Sequence, residues 1–404
     1  MLRKLTFKML YKRHPWRGFD FSELNEVYSS VLLRSIGVGM IGIFVPIYLY
    51  KLGYTIAEIC LYNLIFFTIR PALCLLFAWY VARSGPKHAM LVSYILQIVG
   101  FLILLTMERL SWPLWVLSVF SSAALALYYI AFHVDLSKIK HKTHGGKEIG
   151  VTLLMERLGN IGGPLIGGVL ASFVDPKLTI GLSLLILLFA AWPLFRTKEP
   201  VRSRQTLNYD AFPIKDLIPN SIAYTAYGMD NVGTRVIWPL FVGIFLVSSN
   251  AYAQVGAITA LGAATAYITT RYLARLTDGK RIASTYRMAV LGNMLLYVGR
   301  VFVGGIGGAA LVNVVNEPLT LGYQLPYLKA LYDRVDELEG FRIITFTMFE
   351  IISNTLRAFL WLGLFLMTFW LQDKTVLSIG LILTGISSLG LFLEPSKLLK
   401  VKHT

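Results

Sequence analysis

The chain has 404 residues, of which 56% are hydrophobic and 15% charged, and its mean hydropathy is +0.63. This balance is typical of an integral membrane protein and excludes an ordinary soluble domain. The net charge is +16, but the Lys and Arg residues fall mostly between apolar runs, so they predict membrane topology and not nucleic-acid binding.

Apolar runs long enough to cross a bilayer predict twelve helices. The first six lie near 27–50, 56–81, 88–107, 112–133, 149–173 and 178–196, and the second six near 217–247, 251–273, 285–303, 305–330, 341–372 and 374–396. We therefore expect an all-α integral membrane protein with one six-helix bundle over 27–196 and a second over 217–396.

The segments outside these bundles are basic, and they set the predicted orientation. They are an N-terminal tail (1–26), a central linker (197–216) and a C-terminal tail (397–404). Lys and Arg collect on the cytoplasmic side, and an even number of spans puts both ends on the same side. A monomeric plasma-membrane protein with both termini in the cytoplasm is the expectation.

The fifth run contains a regular glycine pattern, GVTLLMERLGNIGGPLIGG, from Gly150 to Gly168. Gly159, Gly163 and Gly167 recur every four residues, which makes a stripe without side chains on which another helix packs at backbone distance. Proline removes a helical hydrogen bond, so Pro164 within this stripe favours a bend.

This spacing resembles the fifth-helix antiporter motif of the major facilitator superfamily. The positions that match are Gly150, Gly159, Gly163, Pro164, Gly167 and Gly168. The resemblance implies the fold of that superfamily and transport by exchange, with the stripe facing a helix of the other bundle. An ordinary small-residue packing seam is the alternative.

Two short turns resemble a second pattern of the superfamily, GxxxD(R/K)xG(R/K)(R/K). Between spans two and three the chain keeps Arg83, Gly85 and Lys87 but has alanine at the Gly and Asp positions; between spans eight and nine it keeps Asp278, Gly279, Lys280 and Arg281. The resemblance implies a cytoplasmic latch of charges, with Asp135, Asp333 and Asp336 as the nearest acids. The alternative is solvated loop charges that only set topology.

Charged residues inside the predicted spans are costly in lipid, so they are expected to pair or to face a cavity. They are Arg34, Arg70, Arg157, Arg235, Arg357, Glu156, Asp230, Glu317 and Glu350. Helical periodicity puts Glu350, Asn354 and Arg357 on one face of span eleven. It likewise puts Asn313, Glu317 and Gln324 on one face of span ten.

The neighbours of each acid predict its role. Superimposing the second half of the chain on the first puts Asp230 opposite Arg34, so these two would meet across a cavity or flank a substrate. Glu350 has Arg357 on its own face, whereas Glu317 has only neutral stripe neighbours. Because a buried carboxylate without a fixed cation takes up a proton more readily, Glu317 is the predicted proton site, with Asp230 and Glu350 as further candidates.

The sequence has none of the patterns GxxxxGK(S/T), HExxH or GxSxG, so we expect neither an enzyme nor ATP-driven transport, and no cofactor. His141 and His144 have no third ligand nearby, so no metal site is predicted. The first functional hypothesis is a proton-coupled antiporter that exports small amphipathic molecules by alternating access. The alternative is a carrier that holds an anionic organophosphate or carboxylate with intramembrane Arg, and a third is a membrane receptor or scaffold without transport.

Overall fold

The computed structural model describes residues 23–139, 145–195, 207–247, 249–277, 282–338, 340–396 and 399. Throughout these ranges the long elements are helices, and no strand occurs in them. The predicted all-α class is confirmed, and twelve helices follow one another along the chain.

The helices match the predicted spans to within a few residues, apart from α4 and α10, which extend further at their C-terminal ends, and α11, which ends earlier than predicted. They are α1 (Glu23–Gly42, continued as Val45–Lys51), α2 (Ile56–Ser84), α3 (Pro86–Leu110), α4 (Leu114–Ile139), α5 (Gly145–Phe173), α6 (Pro176–Ala191, continued as a 3-10 turn, Trp192–Phe195), α7 (Ile218–Val232, Gly233–Ile237, Trp238–Phe241 and Val242–Leu246), α8 (Ala251–Thr277), α9 (Ile282–Val301), α10 (Ile306–Glu337), α11 (Arg342–Met367) and α12 (Asp373–Ser387, continued as a 3-10 turn, Ser388–Leu393).

Seven of the helices in the described ranges are long and apolar enough to cross a membrane: α1 (from Asn25 to Lys51), α2, α3, α4, α6, α11 and α12. Three of the others, α5, α7 and α10, contain Glu156, Arg157, Asp230, Arg235 and Glu317. Their lower hydropathy follows from these charges, which mark the helices that line a polar interior.

Local sequence explains where several helices begin. Thr55 and Glu58 form a reciprocal capping box at the start of α2, with Glu58 N donating to Thr55 Oγ1 over 3.2 Å and Thr55 N donating to Glu58 Oε2 over 2.8 Å. Asp175 caps α6 by accepting from Lys177 N at 2.5 Å. Each cap satisfies a backbone N–H that a helix start leaves without a partner.

Helix α7 is interrupted by two π-helical stretches, Gly233–Ile237 and Val242–Leu246, on either side of Trp238–Phe241. Pro239 lies between them and cannot donate to the helical ladder, which favours this local rewinding. A π turn adds a residue per turn, so it changes the direction of the side chains that follow, and such turns are frequent at functional sites.

The helices pack as two halves. In the first half α1 packs on α5 and α6, α3 on α4 and α6, and α2 on α4; in the second α10 packs on α8 and α9, α12 on α7 and α9, and α11 on α7. The two largest contacts between the halves join α2 to α11 and α5 to α8. These two contacts set the positions of the side chains that lie between the halves.

The glycine stripe of α5 faces α1, within the same half, which corrects the expectation that it faces the other bundle. A Cβ on Gly163 would lie 2.7 Å from the Ile36 carbonyl oxygen, and one on Gly167 would lie 2.7 Å from Met40 Cα. Gly159 meets Ser35 on the same helix. The stripe is therefore the seam that lets α1 and α5 approach at backbone distance.

A different glycine of the motif reaches the other half. A Cβ on Gly168 would lie 2.5 Å from the carbonyl oxygen of Tyr252 on α8, and Gly256 of α8 approaches the carbonyl of Pro164 in return. The motif thus joins α5 to α1 through one face and to α8 through the next. Gly150 lies within α5, and its surroundings are outside the described part of the structure.

The three positions of the first latch segment, Arg83, Gly85 and Lys87, lie where α2 ends and α3 begins. Gly85 has φ +86°, a conformation that favours glycine. Lys87 is buried, and its Nζ lies 3.2 Å from Glu26 Oε2 of α1, an acid that the pattern did not suggest. Arg83 lies 5.3 Å from the ring of Trp79. The second latch segment, Asp278 to Arg281, lies outside the described residues, as do His141 and His144.

Candidate functional site

A cavity of about 370 Å³ lies between the two halves, near the middle of the helices. This volume suits a small organic molecule. Six of the eight residues predicted as proton-site or substrate-cavity candidates line it: Arg34, Asp230, Asn313, Glu317, Gln324 and Arg357. Glu350 and Asn354 are almost fully buried and contact the arginines of the cavity wall.

Three ion pairs cross from one half to the other around this cavity. Arg70 Nη2 of α2 lies 3.2 Å from Glu350 Oε2 of α11. Glu156 Oε1 of α5 lies 3.1 Å from Arg235 Nη2 of α7. Arg157 of α5 pairs with Glu317 of α10. Three of the four intramembrane acids are thus neutralised by an arginine of the opposite half.

The partner of Glu350 differs from the one that helical spacing suggested. Its Oε2 is paired with Arg70, accepts from Asn354 Nδ2 at 2.8 Å, and its Oε1 accepts from the Tyr224 hydroxyl at 2.5 Å. Arg357 donates to Asn354 Oδ1 at 3.2 Å, so it reaches Glu350 only through that amide. Glu350 therefore binds a cation of the other half and not its own-face neighbour.

The structure overturns the reason for choosing Glu317 as a carboxylate without a cation. Arg157 donates to Glu317 Oε2 and, through Nη2, to Gln324 Oε1 at 2.5 Å. Gln324 in turn donates to the Tyr227 hydroxyl at 2.7 Å. The α10 stripe thus receives an arginine from α5, which no spacing within α10 could reveal.

Asp230 and Arg34 do not meet, contrary to the expectation from the pseudo-symmetric halves. Among the described residues, Asp230 accepts hydrogen bonds only from neutral side chains, those of Tyr323, Asn293 and Tyr297. The Arg34 guanidinium lies over the Tyr128 ring, 3.4 Å from its centroid. Within the described ranges, Asp230 is the intramembrane acid without an arginine, and Arg34 is without an acid.

The Arg357 side chain packs against Gly228 of α7. A Cβ on Gly228 would overlap the Arg357 guanidinium, so glycine is required for the arginine to lie there. The guanidinium carbon of Arg357 lies 5.6 Å from the centroid of the Phe67 ring of α2. Like Arg34, it has no carboxylate partner among the described residues, and both guanidinium groups line the cavity.

Three further intramembrane charges were predicted from the sequence but were not assigned to the site: Arg70, Glu156 and Arg157. The adjacent opposite charges Glu156 and Arg157 were the available signal, because neighbouring residues on a helix point in different directions and therefore reach different partners. Arg300, which is fully buried at the end of α9, was missed altogether.

Contacts between the halves occur beyond both ends of the cavity. Toward the end at which α1 begins, His133 of α4 hydrogen-bonds the Tyr332 hydroxyl of α10 at 2.6 Å. Toward the opposite end, Phe44 of α1 meets Tyr252 of α8 edge to face, with ring centroids 5.6 Å apart. The cavity is thus bounded by contacts that would have to separate alternately for a molecule to pass.

Comparisons with known proteins agree with this architecture. A sequence profile described as Major Facilitator Superfamily matches residues 27–332, which is most of the chain. The chain belongs to the major facilitator superfamily. Its structure is similar to a crystal structure of a superfamily transporter, FucP, in the outward conformation, with a TM-score of 0.63, 12% identity, and coverage of 93% of this chain and 99% of that one. A search of the curated proteins gives no match.

Membership of the major facilitator superfamily makes the chain a multi-pass membrane protein and a secondary transporter of small molecules. The identity with FucP is too low to carry more than the fold. Within the described residues, no group of three His, Cys, Asp or Glu side chains is placed to hold a metal ion. Cys60 and Cys74 are both buried free thiols.

Proposed function

We propose that this member of the superfamily carries a small amphipathic organic anion across the membrane by alternating access. The observation that carries the proposal is the pair of guanidinium groups, Arg34 and Arg357, that face the cavity with no carboxylate partner among the described residues. A buried charge is costly unless something pairs with it, and charges retained inside a membrane protein mark substrate paths.

The charge balance of the cavity supports an anion. Five arginines and three acids line it, and Glu350 lies directly behind the wall. Three arginines are engaged by glutamates, and the fourth carboxylate, Asp230, is held by neutral donors. The net positive charge favours a carboxylate, sulfonate or phosphate, which the planar guanidinium binds through paired N–H groups.

The remaining wall supports an apolar body on that anion. Aromatic and aliphatic side chains share the cavity with the arginines, among them Phe66, Phe67, Phe101, Trp238 and Ile258. Since Tyr128 covers one face of the Arg34 guanidinium, that group is left to bind through its N–H edge. An aromatic or alkyl monoanion therefore fits the site better than a strongly hydrated polyanion.

Uptake into proteoliposomes containing the full chain tests this function. We expect uptake of the monoanions benzenesulfonate and benzoate but not of tetraphenylphosphonium. Arg34→Gln and Arg357→Gln should each weaken the apparent affinity about 10- to 100-fold, since a hydrogen bond to a charged group contributes about 1.5–3 kcal/mol. Lys374→Gln, at an exposed position at the start of α12, is the matched loss of positive charge and should leave uptake unchanged.

Uptake of the cation in preference to the anions would contradict the proposal. Equal losses in Lys374→Gln and Arg34→Gln would also contradict it, because the effect would then come from surface charge and not from the cavity.

Exchange for protons, with export of the substrate, is the second candidate, which the α5 motif favours. It is supported by Asp230, a carboxylate in the cavity wall with no cation against it in the described part of the chain. The same vesicles separate the two directions of coupling. Exchange predicts uptake when the vesicle interior is acidic, whereas movement of anion and proton together predicts uptake when the exterior is acidic.

We also propose a plasma-membrane location with both termini in the cytoplasm. The twelve helices put Glu23 and Glu394 at the same end, and the basic tails favour the cytoplasmic side. A cysteine placed at residue 2 or 403 should resist a membrane-impermeant thiol reagent added to intact cells and react after lysis. Reaction in intact cells would reverse the orientation.

A further inference from the structure

The carboxylate of Asp230 has an unusual set of neighbours for a charge in a membrane interior. It is 3% exposed and lines the cavity. Its Oδ2 accepts from the Tyr323 hydroxyl at 2.5 Å, and its Oδ1 accepts from Asn293 Nδ2 at 2.8 Å and from the Tyr297 hydroxyl at 3.0 Å. All three donors are neutral, and no cation lies against this carboxylate among the described residues.

A second buried charge lies behind Tyr297. Arg300 follows it by one turn on α9, is fully buried, and places its guanidinium carbon 4.0 Å from the centroid of the Tyr297 ring. Nη2 donates to Asn316 Oδ1 at 2.6 Å, while Nε and Nη1 have no hydrogen-bond partner among the described residues. Tyr297 thus separates a buried anion from a buried cation.

The helices around Asp230 carry several other ionisable groups. They include Tyr224, Tyr227 and Arg235 of α7 itself, Tyr297 and Arg300 of α9, Glu317, Tyr323 and Tyr327 of α10, and Glu350 and Arg357 of α11; α12 presents the neutral Thr384 beside Gly233. Arg235 and Glu317 are paired with Glu156 and Arg157 of α5, and Arg357 lies against Gly228 and is engaged by Asn354. Among the described residues, Arg300 is therefore a cation with no acid of its own, and it lies behind Tyr297 as seen from Asp230.

We infer that Asp230, Tyr297 and Arg300 form a proton-binding site in which Arg300, acting across the Tyr297 ring, sets the proton affinity of Asp230, and an anion in the cavity raises that affinity. A nearby cation favours the carboxylate, and a nearby anion favours the neutral acid. Proton binding and anion binding then strengthen each other, because coupling between two sites is reciprocal.

The sign of this coupling distinguishes two kinds of transport. A cationic substrate would compete with the proton for Asp230 and produce exchange. An anionic substrate binds best with the proton present, so both move in the same direction. This second part of the inference rests on the proposed function, whereas the proton site itself does not.

Infrared difference spectroscopy on the purified full chain tests the site without any substrate. A protonated carboxyl group shows a carbonyl stretch that a carboxylate lacks. The spectrum of Asp230→Asn is subtracted to remove other carboxyls, such as Glu394, where burial raises the pKa to about 7. We expect an Asp230-dependent band that appears as the pH falls. No such band at any pH, or an equal band in Asp230→Asn, would overturn the site.

Arg300→Gln tests the role of the arginine, since glutamine can still bond Asn316. Loss of the cation should move the midpoint of the Asp230 band upward by about one pH unit, a tenfold gain in proton affinity. Tyr297→Phe should also raise the midpoint of the Asp230 band, because it removes a hydrogen-bond donor to the carboxylate. This variant replaces Arg300→Gln in the test if Arg300→Gln does not fold. Unchanged midpoints in the variants that fold would overturn the role of the Arg300–Tyr297 unit.

Benzenesulfonate tests the coupling, because it does not titrate and has no carbonyl group. Bound in excess, it should raise the midpoint of the Asp230 band; an unchanged or lowered midpoint would overturn movement of proton and anion together. Calorimetry on the same sample shows whether the anion binds at all. Absence of binding would count against the proposed function, while the titration without anion would still decide the proton site.

Discussion

Glu350→Gln is expected to lower the stability of the folded protein by about 3–5 kcal/mol, the cost of leaving one member of a buried ion pair without its partner. Arg70 and Glu350 are both 3% exposed, and the pair joins α2 to α11 across the two halves. Glutamine can still hydrogen-bond Tyr224 and Asn354, so the loss of stability reports the removal of the negative charge. Thermal unfolding of the purified protein, followed by tryptophan fluorescence, measures it.

The pair between Lys177 and Glu108 provides the control. Lys177 Nζ lies 2.7 Å from Glu108 Oε2, and the two side chains are 51% and 59% exposed, so water screens the pair and it adds little to stability. Glu108→Gln should leave the unfolding temperature nearly unchanged. Replacing Arg70 and Glu350 together by leucine should restore part of the stability, because no charge is then left unpaired. A similar loss in Glu108→Gln and Glu350→Gln would contradict the assignment of a buried pair.

Gly168→Leu is expected to reduce transport at least about tenfold by forcing α5 and α8 apart. A Cβ at this position already lies 2.5 Å from the Tyr252 carbonyl oxygen and 3.3 Å from Gly256 Cα, so a leucine cannot be accommodated by side-chain movement. This seam joins the halves, so the substitution should disfavour the state in which they are in contact here. Uptake of benzenesulfonate by proteoliposomes and thermal unfolding are measured together.

Gly162→Leu is the matched control on the same helix, since a Cβ there meets nothing within 4 Å. It should transport and unfold like the unmodified protein. Gly167→Leu should instead be poorly folded, because it breaks the contact of α5 with α1 inside one half. Normal transport by Gly168→Leu would show that the α5–α8 contact does not need to close during the cycle.

The position and periodicity of the apolar residues were enough to predict the twelve helices and which residues share a face. The polar stripe of α10 shows this: Asn313, Glu317 and Gln324 all line the cavity. The physical reason is local, because the helical repeat determines which side chains point the same way and the cost of polar groups in lipid excludes the outward direction. The chemistry of the cavity wall could therefore be anticipated in part.

The pairing of those residues was decided only by the tertiary structure. Arg157 meets Glu317, Arg70 meets Glu350, and Asp230 meets two tyrosines and an asparagine, none of which helical spacing could select. In a membrane, the apolar surface of a helix is as stable against lipid as against another helix, so hydrophobicity does not determine which helices become neighbours. Close packing and hydrogen bonds between distant segments determine it. The sequence alone therefore determined which groups face inward, and the packing of the two halves decided which of them remain available to a substrate or a proton.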